Sequence, residues 1–130
     1  MTINEKASNA LKSAANHLEN SILALNKKDE SSFADSLWHV AAELEYALFL
    51  FSIMFPDEGN LWSWKRKLEL KKIETGSVLF ELKNLLEEAE RFFVDKRLLD
   101  AYKNAYIARH YALKVQEDLA KKKREMLQKK

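Results

Sequence analysis

The chain contains no cysteine and, in 130 residues, only two glycines and one proline. Without cysteine there can be no disulfide, no thiol nucleophile and no thiolate zinc site, and a reducing compartment is compatible. Glycine and proline average about 7% and 5% of residues. So few turn-forming residues argue against a hairpin-rich β fold and leave long helices. The opening MTINEKASNA lacks an apolar signal core, and the longest apolar run, Tyr46 to Phe55, is shorter than the about 20 residues that cross a bilayer. We therefore expect a soluble, cytoplasmic protein with no membrane association. Gly-x-Ser-x-Gly, His-Glu-x-x-His and glycine-rich phosphate loops are all absent, and Gly59 and Gly76 alone cannot build a backbone phosphate cradle. No enzyme and no cofactor are expected.

What is present is helical periodicity, in four long stretches. From about Ile3 to Leu25, the residues Ala7, Leu11, Ala14, Leu18, Ser21 or Ile22, and Leu25 recur at steps of three and four. Thr2 and Glu5 have the spacing of a capping box. A second helix starts near Ser31 or Ser32, after the polar run Asn26 to Glu30, and Pro56 stops it. Its last ten residues are apolar almost all round, which predicts the most buried helix. A third spans Val78 to about Val94, with Thr75-Gly76-Ser77 as its cap and Leu79, Leu82, Leu85, Leu86, Ala89 and Phe93 facing inward. The last starts near Lys96. Its Leu98, Ala101, Ala105, Ala108, Ala112, Val115 and Leu119 form a heptad seam with small residues at its centre, which implies a close neighbouring helix.

Four helices with short links predict an all-α, antiparallel up-down bundle, roughly up-down-up-down. Residues 1–120 form its one domain and 121–130 a basic C-terminal extension. A short extra basic helix is expected between helices 2 and 3, in LWSWKRKLELKKIE, where Leu61, Trp64 and Leu68 make a narrow apolar line.

The formal charge of +2 hides a polarity. Residues 1–60 hold 4 basic against 9 acidic side chains, 61–75 hold 5 against 2, 76–95 hold 2 against 5, and 96–130 hold 11 against 4. A basic end can meet nucleic acid, anionic lipid or an acidic partner, and opposite ends can pair two copies. Trp62 and Trp64 beside Lys65, Arg66, Lys67, Lys71 and Lys72 combine stacking surfaces with phosphate-neutralising charge, as single-strand binders do. An amphipathic helix with indoles inward and lysines in water has the same pattern. The run Lys121, Lys122, Lys123 and Arg124 reads either as a phosphate-binding tail or as a solvated helix end.

Asp35, His39 and Glu43 lie at i, i+4 and i+8, where they could offer a metal two or three ligands or form an exposed ladder of hydrogen bonds and ion pairs. Di-iron bundles repeat Glu-x-x-His, which does not occur here, so no metal is expected. His17 and His110 have no nucleophile or paired carboxylate at a recognisable spacing. Arg109 and His110 flank the alanine seam, where they could line a groove between subunits.

The stretch NSILALNKKDESSFADSLWHVAAELEYALFLF, followed by Trp-Lys-Arg-Lys and two long closing helices, resembles archaeal HEPN-like proteins, including the paREP type. The resemblance implies a compact helical bundle, often a homodimer. Some such proteins are RNA-cleaving toxins; others accompany a small nucleotidyltransferase or bind nucleic acid. The cleaving members carry an arginine a few residues ahead of a histidine. The corresponding positions here are Ala10, Leu11 and Lys12 before His17; Ser32, Phe33 and Ala34 before His39; and Lys103, Asn104 and Ala105 before His110. None is arginine.

Three functions therefore stand as expectations. The favoured one is a non-catalytic module that self-associates through the last helix, at Ala101, Ala105, Ala108, Arg109 and Ala112, and through the apolar second helix. The alternative is an RNA- or DNA-binding protein that uses the basic Trp/Lys segment and the C-terminal lysines. The third is an unconventional ribonuclease built on Arg109 and His110.

Overall fold

The computed structural model describes residues 1–56 and 75–128. These form four helices: α1 (Ile3–Asn26), α2 (Glu30–Met54), α3 (Thr75–Val94) and α4 (Leu98–Gln128). The expected extra helix, with Trp62, Trp64, Lys65, Arg66, Lys67, Lys71 and Lys72, lies outside the described residues.

Each start and stop has a local cause. The Thr2 hydroxyl accepts from the Glu5 amide at 3.1 Å and caps α1. α2 starts at Glu30, just ahead of the expected Ser31 or Ser32, and Asp29 caps it: its carboxylate accepts from the Ser32 amide at 3.2 Å and from the Ser32 hydroxyl at 2.8 Å. The Ser32 hydroxyl and then its amide hold the Asp29 carboxyl below its ordinary value, because both favour the charged form. α1 and α3 end in the same way. Asp29 N–H donates to the Ala24 carbonyl at 2.9 Å and Lys28 N–H to that of Leu25 at 3.1 Å. After α3, Arg97 N–H reaches the Phe92 carbonyl at 2.8 Å and Lys96 N–H that of Phe93 at 3.1 Å. Both are Schellman closures, which need a left-handed residue at the turn. Lys28 (φ 59°) and Lys96 (φ 62°) supply it, where glycine is the usual choice.

The two tight turns make α1 and α2 one antiparallel hairpin and α3 and α4 another. The hairpins pack with α2 against α4 and α1 against α3. Phe51 stacks on Tyr102 (centroids 5.2 Å apart), and Glu45 of α2 pairs with Arg109 of α4. Falling positions on α2 thus meet rising ones on α4, and these helices are antiparallel too. Lys83 Nζ lies 3.4 Å from Glu19 Oε1 where α3 meets α1. Every neighbouring pair is antiparallel, while α2 and α3 lie on a diagonal and run the same way. The chain order therefore differs from a simple up-down-up-down path. Short links force reversal only at Lys27–Asp29 and Asp95–Arg97; the connection from α2 to α3 is long enough to return the chain to the other end.

The core is one continuous cluster. Leu11 and Leu18 of α1, Leu37, Leu44 and Phe51 of α2, Leu82 and Leu86 of α3, and Val115 of α4 are all fully buried or nearly so. Buried Ser21 is satisfied by donating to the His17 carbonyl at 3.0 Å, one turn back. Tyr102, under Phe51, has its hydroxyl pKa pushed up, first by burial and then by the neighbouring Tyr106. The seam residues Ala101, Ala105, Ala108 and Ala112 have no exposed surface and let α4 approach its own bundle closely. This corrects the expectation that they meet a second subunit: α2 and α3 of the same chain already cover them. Beyond Ala120 the helix continues unbroken to Gln128 with its side chains exposed.

Candidate interaction surface

α2 carries the most buried residues of the four described helices, eight of its 25, as its apolar composition implies, but its apolar residues are not all buried. Phe33, Leu37, Val40, Ala41, Leu44, Ala47, Leu50 and Phe51 take the inward face. A helix in a four-helix bundle presents only one broad stripe to the core. The apolar residues left over therefore reach solvent: Trp38 is 59% exposed, Tyr46 45%, Phe49 59% and Ile53 51%. With half-buried Ala42 they follow steps of four, four, three and four. At 3.6 residues per turn these five positions fall within an arc of about 80°, over about 22 Å of helix.

The arc lies between the lines of contact with α1 and α4, and each flank is held. On the α4 side, Arg109 Nε donates to Glu45 Oε1, which compensates the one carboxylate at that edge. On the α1 side, His39 stacks on His17 with ring centroids 4.8 Å apart, and Trp38 meets the His39 ring edge-on at 5.2 Å. Asp35 Oδ2 lies 3.9 Å from His39 Nε2, one turn back. These contacts fix the Trp38 end of the stripe. α2 has no lysine or arginine anywhere along its length.

The other expected sites separate. Among the described residues, no three His, Asp or Glu side chains gather as metal ligands; of Asp35, His39 and Glu43, the structure pairs Asp35 with His39. Arg109 points to Glu45, while His110 packs edge-on against Tyr106 at 4.6 Å. Lys121, Lys122, Lys123 and Arg124 are exposed on the last turns of α4. Lys122 and Lys123, with Leu119 and Met126, face Ala34 and Glu30 across a shallow cleft. Sequence reasoning named the second helix as sticky but missed which side of it is. The signal was an excess of apolar residues over what one buried face can absorb.

No family model, no curated protein and no solved structure matches the chain. Function therefore rests on the surface itself. By length and composition alone α2 could also cross a bilayer, as core helices of bundles often can. Its inward half is already covered by α1 and α4, and its outward half is the stripe.

Proposed function

We propose that this protein is a non-catalytic helical interaction module that self-associates through the outer face of α2. The observation that carries this reading is the line of Trp38, Tyr46, Phe49 and Ile53, each about half exposed on one side of one helix. The largest contiguous apolar patch on a soluble protein, typically about 300–600 Å², often marks an interaction site. The pairing of Arg109 with Glu45 favours a structural role for Arg109 over a catalytic one. The reading agrees with the homodimers that a HEPN-like likeness implies, and that likeness remains one of sequence pattern. Light scattering behind a sizing column tests it: a mass of twice 15.2 kDa supports the module, and a strictly monomeric mass at every concentration refutes it.

Nucleic-acid binding is the second reading. It is favoured by the exposed run Lys121, Lys122, Lys123 and Arg124 on the last described turns of α4. Anisotropy of labelled single-stranded RNA, titrated at low and moderate salt, tests it; phosphate contacts would show as steep loss of affinity with salt.

A further inference from the structure

We infer that the occupant of the α2 stripe is the same stripe of a second copy, laid antiparallel across a two-fold axis between positions 45 and 46. This rests on the self-association just proposed and adds its geometry. The stripe is self-complementary in that arrangement and in no other register as fully. Trp38 at one end meets Ile53 of the partner subunit, and the bulk of Phe49 falls on Ala42 of the partner subunit, where the missing side chain leaves room. Tyr46 lies next to the axis, beside its own symmetry mate. Large-on-small pairing of this kind is how helix surfaces interlock, and an isologous contact closes after two copies.

Charge points the same way. An antiparallel pairing brings the two Glu45 side chains close to the axis, where like charges would repel; each arrives already compensated by Arg109 of its own chain. With no lysine or arginine on α2, the face has nothing to offer an anionic membrane or a nucleic acid. Taking about 200 Å² for a full large side chain, the four exposed residues leave roughly 450 Å² of surface. This is a little more than half of the about 800 Å² that each partner gives to a standard interface, so the stripe forms the apolar centre of the contact and not the whole of it.

The absence of cysteine makes the test clean, since each introduced thiol is the only one in the chain. Three variants, Trp38→Cys, Tyr46→Cys and Ile53→Cys, all at half-exposed positions, are checked for native helicity and treated with a short bis-maleimide. Tyr46→Cys should link to itself. Trp38→Cys alone should not, because its symmetry mate lies about 22 Å away along the helix; mixed with Ile53→Cys it should give the covalent heterodimer. If the wild type is a dimer but Trp38→Cys links to itself and fails with Ile53→Cys, or none of the three links, the antiparallel α2 pairing is wrong and self-association survives. A monomeric wild type overturns both.

Discussion

Phe49 and Phe51 are the same residue two positions apart on α2, and truncating each to alanine should have very different consequences. Phe51 is fully buried, stacks on Tyr102 at 5.2 Å with rings 12° apart, and meets Phe93 edge-on at 6.2 Å. Phe51→Ala removes that burial and leaves a cavity among helices that cannot collapse onto it, a loss of about 3–5 kcal/mol. With about 2.1 cal/mol/K of unfolding entropy per residue, the midpoint should fall by roughly 10–20 °C. Phe49 is 59% exposed, and Phe49→Ala should change the stability of the isolated chain by no more than about 0.5 kcal/mol. Its effect should instead grow with protein concentration, because it removes a contact between copies. Thermal and urea unfolding followed by circular dichroism at two concentrations measures both. Equal losses for the two variants in dilute solution, or a loss under about 1 kcal/mol for Phe51→Ala, would refute the assignment of inner and outer faces.

Lys28→Gly and Lys96→Gly should each raise stability by about 1 kcal/mol, since glycine relieves the left-handed backbone that these lysines hold; a fall in the urea midpoint would contradict the Schellman reading. Gly76→Ala, in the first turn of α3 with open space around the added methyl, should stabilise by roughly 0.5 kcal/mol in the same assay. Asp29 contributes stability above the carboxyl's unfolded-state pKa and loses it as pH falls through its lowered native value. Asp29→Asn should therefore flatten the acid limb of a Tm-versus-pH curve, and an unchanged curve would exclude the capping role. Arg109→Ala should weaken dimerisation by leaving Glu45 uncompensated near the axis, and adding Glu45→Ala should restore part of it; additive losses in sedimentation would rule out that coupling.

The inner faces of α1, α3 and α4 were legible, because periodicity reports which residues share a side. Leu11, Leu18, Leu82, Leu86 and the alanines of α4 are buried as their spacing implies. Thr2 was legible as a cap because its chemistry is local. Helix order was not, since periodicity says nothing about which faces meet and the link argument applied only to the two short turns. The left-handed lysines were invisible because lysine is not a turn signal; backbone hydrogen bonding overrides its preference there. The alanine seam was read as a closely packed face, and its depth is what places it inside one chain. The α2 stripe was hidden in plain composition: the near-continuous apolar run correctly marked the most buried helix but carried no period to show that a bundle covers only its inner side.

The most direct test is sedimentation equilibrium of the wild type and of Phe49→Asp, with circular dichroism confirming equal helicity. Our account expects a wild-type dimer and a folded, monomeric Phe49→Asp, because a carboxylate on the outer face has water in the monomer and none against Ala42 of the partner subunit. A dimer of unchanged strength in Phe49→Asp, or a wild type that stays monomeric throughout, would contradict it.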